Sequence, residues 1–155
     1  MTVSTDNTNK LQDLTHVGVG VSQVLPILVL SLLAKTDSTL IFEQPELHLH
    51  PKVQTRLADF FISQNALKKQ CIVETHSEYL INRLRYLVAI SEKDSLSKDS
   101  ILYFVEKDGA YSKYNEIRIN KYGVIKDWPK GFFDESEKLA SKMLEAAMNK
   151  RKRER

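Results

Sequence analysis

The stretch Thr39-Leu40-Ile41-Phe42-Glu43-Gln44-Pro45-Glu46-Leu47-His48-Leu49-His50-Pro51 decides the fold: a short apolar run breaks off into acidic and amide side chains, a proline and a His-x-His. An apolar run of this length, bounded by turn residues, predicts a buried strand. A buried strand that ends in polar groups delivers them to the edge of a parallel sheet, where α/β proteins place ligands. Farther along, Cys71-Ile72-Val73 runs into Glu74-Thr75-His76-Ser77 in the same manner. Two strands tipped with chemistry predict a site more strongly than either does alone.

Bulk composition agrees with one globular domain. A chain of 155 residues is long enough to bury a core, and 42% hydrophobic with 28% charged residues is ordinary for a globular protein. The net charge of +3 is uneven, because Lys150-Arg151-Lys152-Arg153-Glu154-Arg155 carries much of it. That run reads first as a solvated helix end and second as a DNA contact. One cysteine, Cys71, excludes an internal disulfide and suits a reducing cytoplasm; inside an apolar strand it reads as packing, not as a nucleophile. No basic segment precedes the apolar residues 24–34, which follow Gln23 and are interrupted by Pro26 and Ser31. They read as a core helix and not as a signal peptide or a membrane span, so no membrane partner is expected.

Three regions follow. Residues 1–14 read as a flexible N-terminal segment, 15–92 as the α/β portion, and 93–155 as a small appendage. Within the α/β portion, Ser22 is expected to cap a helix reaching about residue 35, with Pro26 near its start. Pro51 suits the first turn of a second helix, along which Val53, Leu57, Phe60 and Phe61 recur at helical spacing. Ser77 is expected to cap a third helix with Leu80, Ile81, Leu84, Leu87 and Val88 on its buried face. Residues 91–100 read as a polar link. Two strands around Asp108-Gly109 read as a hairpin, and a last helix is expected from about 135 to 150. Trp128, Phe132 and Phe133 read as pinning this tail to the α/β core, with base stacking as the lesser alternative.

Four groups carry the candidate chemistry. Gly18-Val19-Gly20-Val21-Ser22-Gln23 sets small residues at a helix start, where free N–H groups favour an anion. Glu43 is a hard oxygen ligand suited to magnesium, Gln44 or Glu46 would lie near the reacting centre, and His76 can donate to phosphate or water. His48 and His50, near Glu46, lack the further ligands a zinc site wants and read as helix-start hydrogen bonding.

These motifs, in this order over residues 15–90, resemble the C-terminal half of the ABC-type P-loop ATPases of the RecF and SMC kind, which include many bacterial AAA-like defence ATPases. In that family residues 18–23 match the signature loop and helix, 40–44 the Walker B strand, 46–51 the D-loop region, and 72–77 the switch-histidine strand. The tail, with Asp127-Trp128-Pro129-Lys130-Gly131-Phe132-Phe133-Asp134, resembles a C-terminal domain of unknown function attached to such ATPases. The resemblance implies a partial three-layer P-loop ATPase fold and an ATP sandwich between two protomers. Glu43 then takes the magnesium-associated role, His76 the γ-phosphate sensor role, and Gly18, Gly20, Ser22 and Gln23 the signature contacts. Gln44 stands where the catalytic glutamate is usual. It also implies a DNA-repair or anti-phage setting, with a nuclease as one conceivable partner.

The sequence departs from that pattern twice. Glutamine at position 44 cannot accept a proton, though it can orient water, so slow turnover is expected, with Glu46 as a substitute base. The chain also has no Gly-x-x-x-x-Gly-Lys-Ser/Thr; Gly18, Gly20, Gly109, Gly123 and Gly131 cannot form one. The phosphate-cradling loop must therefore come from a Walker A-bearing half or a second ATPase protomer, and the chain alone is expected to be inactive. The alternative is a non-hydrolysing interaction module derived from such an ATPase.

Overall fold

The structure, a computed structural model, describes residues 2–4, 11–13, 19–92, 94–126, 128–129, 131–133 and 135–153. In chain order its elements are β1 (Thr2–Ser4), β2 (Leu11–Asp13), α1 (Val19–Leu33), β3 (Thr39–Glu43), α2 (Pro51–Ala66), β4 (Gln70–Glu74), α3 (Glu78–Ile90), α4 (Ser95–Asp99), β5 (Leu102–Asp108), β6 (Tyr111–Ile117) and α5 (Glu135–Arg153). This is a mixed α/β chain that divides into two compact units, Met1–Leu87 and Val88–Arg155.

In the first unit β3 and β4 pair in parallel, in register from Thr39 opposite Gln70 to Glu43 opposite Glu74. A parallel pair needs a crossover, and α2 provides it. Pro51 occupies its first turn and the His50 ring accepts the Lys52 N–H at 3.2 Å, so the His-x-His-Pro run serves as a helix start. Leu57, Ala58 and Phe61 of α2 are buried, and the Phe61 ring lies 5.2 Å from that of Phe42 on β3. Alternation along β3 buries Leu40 and Phe42 and turns Thr39, Ile41 and Glu43 outward. On β4 Cys71 and Val73 are half-buried while Gln70, Ile72 and Glu74 face out. One face of the sheet is thus covered, whereas Ile41 and Ile72 on the other are 66% and 49% exposed. Parallel sheets ordinarily have both faces covered.

Thr2–Ser4 pairs antiparallel with Leu11–Asp13. One local reading needs correction. Ser22 is not an N-cap: α1 begins at Val19, and the Ser22 hydroxyl donates to the Val19 carbonyl at 2.8 Å inside the first turn. The far end of α1 is held by a buried lysine, Lys69, whose ammonium donates to the Ser31 carbonyl at 2.7 Å. Lys69 thereby stands beside Cys71. Burial pushes the Cys71 thiol above its ordinary value, and the Lys69 ammonium opposes that shift.

In the second unit β5 and β6 form the expected hairpin, with Asp108 opposite Tyr111 across the two-residue turn Gly109-Ala110. Gly109 takes a positive φ of 61°, which its missing side chain permits. The polar link contains a short helix, α4, whose Ser97 hydroxyl donates to the Ile119 carbonyl at 2.6 Å. Ile117, Ile119, Ile125 and Phe132 are buried. Within this unit the aromatic tail meets the hairpin: Phe132 lies 5.4 Å from Phe104 of β5 and 5.3 Å from Trp128. The indole N–H of Trp128 donates to the Phe132 carbonyl.

Removing Phe61, buried against Phe42 and Phe60, opens a cavity under β3. Phe61→Ala is expected to lower urea-unfolding stability by about 3–5 kcal/mol; a loss under about 1 kcal/mol would contradict this packing. Cys71 is expected to react slowly with iodoacetamide at neutral pH and faster as the pH passes the ordinary thiol value of 9.0, because only the thiolate attacks. Fast alkylation of the folded chain at pH 7 would show that the thiol is not desolvated.

Candidate functional site

Where β3 ends, the chain turns sharply. Gln44 adopts φ 44° and His48 φ 62°, both in the left-handed region that side chains resist. Two tight turns follow from this: the Leu47 N–H reaches the Gln44 carbonyl at 3.1 Å, and the Leu49 N–H the Glu46 carbonyl at 3.0 Å. Such strain persists only where neighbours hold it, and three hydrogen bonds do so here. The Gln44 N–H donates to the Glu74 carbonyl at 2.9 Å, extending the β3–β4 ladder past Glu43. The Glu46 carboxylate accepts the His76 N–H at 2.7 Å. The Gln54 amide of α2 donates to the Leu49 carbonyl at 2.8 Å.

Gln54 also ties in the other strand tip. Its carbonyl oxygen accepts the Ser77 hydroxyl at 2.6 Å, while Ser77 Oγ accepts the Leu80 N–H at 3.1 Å as the cap of α3. The Ser77 N–H in turn donates to Thr75 Oγ1 at 3.0 Å. Residues 44–50 and 74–77 are therefore fixed to each other and to the starts of α2 and α3. This framework leaves the Glu43 and His76 side chains exposed and Gln44 half-buried. Glu74, which the motif reading passed over, is the register partner of Glu43 on the same exposed face. The period of two along β4 is the signal that would have found it.

Glu46 differs from the other candidates. It is only 7% exposed; Oε1 holds the His76 N–H and Oε2 is buried with no hydrogen-bond partner. Gln54 and Thr75 were also missed, since their roles arise from tertiary contacts with no local spacing to announce them.

Of the expected signature residues, Gly20 meets the other end of the same loop. Gly18 falls outside the described residues. Gly20 packs so closely that a Cβ there would stand 3.2 Å from the Leu49 side chain. Ser22 and Gln23 are exposed on the first turns of α1. An open groove of about 600 Å³ runs here, lined by Gly20, Val24, Leu25, Leu49 and Val53 among others. Leu49 touches the Gly20 end, and Glu46, bonded to Leu49 through the backbone, touches the His76 end. No group of three or more His, Cys, Asp or Glu able to hold a metal occurs among the described residues. No helix is long and apolar enough to cross a membrane among the described residues.

The family model for the AAA ATPase domain matches residues 2–81, so it takes in the β1–β2 pair as well as both strand tips. A second, described as a protein of unknown function (DUF3696), matches residues 97–143, covering the hairpin, the aromatic tail and the start of α5. No curated protein and no solved structure matches the chain.

Glu46→Ala removes the acceptor that holds the backbone at His76. Amide hydrogen exchange at His76 is expected to speed up, by at least about tenfold for a bond worth about 1.5–3 kcal/mol. Unchanged protection would show that the bond does not hold the strand tip.

Proposed function

This chain belongs to the AAA ATPase domain family, and we propose that it supplies the Walker B, switch-histidine and signature elements of a RecF/SMC-like site for ATP. The Walker A loop comes from another segment or a second protomer, and that half also completes the three-layer sheet. The observation that supports this most is the parallel register of β3 and β4, with Glu43 and Glu74 side by side on an exposed face and Gln44 and His76 just beyond. Ligands of open α/β sheets bind at such carboxyl ends. The bare face around Ile41 and Ile72 is the second support, since a completing half would cover it.

Two exposed carboxylates on adjacent strand ends suit magnesium, which keeps several waters and takes its other ligands from phosphate oxygens. The ion, when bound, neutralises charge on the transferring phosphoryl group. Glu43 would hold it, directly or through water. Gln44, unable to take a proton, orients the attacking water, and His76 donates to the γ-phosphate. Glu46 acts as a positioning residue: its carboxylate is committed to the His76 backbone, which leaves it poorly placed to serve as the base. Gly20, Ser22 and Gln23 face the nucleotide held by the completing protomer, and Gly18 belongs to the same signature segment by sequence. The cellular setting of DNA repair or defence, with a nuclease partner, is part of the same proposal.

Isothermal calorimetry with ATP and magnesium tests it. We expect no binding to the chain alone and binding once a Walker A-bearing half is added. Absence of binding in both would favour the non-hydrolysing interaction module. In the completed enzyme His76→Ala is expected to slow turnover about a hundredfold, and Gln44→Glu to raise it about tenfold or more by restoring a base. An unchanged rate for Gln44→Glu would place Gln44 away from the attacking water.

A further inference from the structure

The second unit carries a feature that the nucleotide reading does not use. Helix α5 spans 19 residues, and its residues are exposed along nearly the whole length. Leu139, Ala140, Met143, Leu144, Ala147 and Met148 recur at spacings of three and four, which sets them on one face. The four large members, Leu139, Met143, Leu144 and Met148, are 59%, 65%, 65% and 54% exposed. A helix of this length is marginal in water without a packed apolar face, so the stripe calls for a cover.

The helix is also polarised, opening at Glu135 and ending in Lys150-Arg151-Lys152. We propose that the cover is a second copy of α5, packed antiparallel, so that this helix pairs two chains. The sequence is self-complementary about a point between Met143 and Leu144. Reversing one copy about that point brings Leu139 level with Met148, Ala140 with Ala147, and Met143 with Leu144, so each apolar residue meets another. The same operation sets Lys152 level with Glu135 of the second copy and Lys150 within one turn of it. Each basic end then faces the acidic, dipole-positive start of its partner. A parallel pair would stack the basic ends on each other, which disfavours that arrangement. Glu135 is bonded at present to Lys138 at 3.2 Å, an exposed pair that can rearrange at little cost. Small alanines beside leucine and methionine allow close approach of two helices. The ATP sandwich is not involved, so the proposal stands apart from the nucleotide reading.

Sedimentation equilibrium on the full chain over a range of concentrations, without nucleotide, is the test. We expect a monomer–dimer equilibrium that Leu144→Glu weakens by at least about tenfold, a loss of 1.4 kcal/mol. Leu144 is exposed and glutamate is a good helix former, so this variant keeps its circular dichroism spectrum. Glu135→Lys and Lys150→Glu are each expected to weaken the dimer, and the double exchange to restore it. A monomer at all concentrations would overturn the proposal, as would a dimer indifferent to Leu144→Glu or a double exchange weaker than either single one. A monomeric chain whose α5 instead binds duplex DNA or anionic vesicles would overturn it as well.

Discussion

The hydrogen bond from the His76 N–H to the buried Glu46 carboxylate holds the candidate site together. β3 and β4 are short, and a parallel pair alone would leave its strand ends free to fray. Glu46 reaches from the turn after β3 to the turn after β4 and fixes one on the other. A charge-assisted bond of this kind is stronger than a neutral one, and its low-exposure setting shields it from competing water. The cost is a carboxylate with a second oxygen buried and unpartnered. Gln54 completes the arrangement by joining the Leu49 carbonyl to the Ser77 hydroxyl, and so to the cap of α3. The strained backbone at Gln44 and His48 persists because these bonds over-determine the loop.

The covering of the sheet is incomplete where nucleotide chemistry would need a second half. Leu40 and Phe42 are packed under α2, whereas Ile41 and Ile72 look outward from the opposite face. Helix α1 is apolar on several sides, yet Leu32 and Leu33 are 75% and 78% exposed. An apolar helix with such exposure and a parallel sheet with a bare face both ask for further protein against them. The nucleotide site proposed above asks for the same thing, since this sequence holds no Gly-x-x-x-x-Gly-Lys-Ser/Thr. The bare apolar stripe of α5 is a separate demand within the second unit, and its charge pattern is satisfied by a copy of itself.

Much of the fold was legible because local signals coincided. The apolar runs ending in Glu43 and Glu74 gave both strands almost to the residue, since side-chain character changes where the sheet ends. Pro51 and Ser77 marked the starts of α2 and α3, where they act as first-turn and cap residues. Ser22 misled for a tertiary reason: Gly20 nests against Leu49, the helix extends back to Val19, and the hydroxyl turns onto the Val19 carbonyl. The pairing of Thr2–Ser4 with Leu11–Asp13 carries no strong periodic signal, and the β5 contact that captures Phe132 lies far away in sequence. Glu46 was noticed for its charge, but only its burial and its bond to His76 reveal that it holds the backbone. Glu74 was legible in principle from the alternation along β4 and was passed over because the histidine after it drew the reading.

The central claim is that Glu43, Gln44 and His76 share one nucleotide edge. It is tested most directly by paramagnetic relaxation in the completed ATPase, with manganese replacing magnesium beside bound ATP. The account predicts that amide signals of residues 43–44 and 74–76 broaden strongly while those of β5 and β6 stay sharp. Sharp signals at Glu43, Gln44 and His76 with nucleotide demonstrably bound would contradict it.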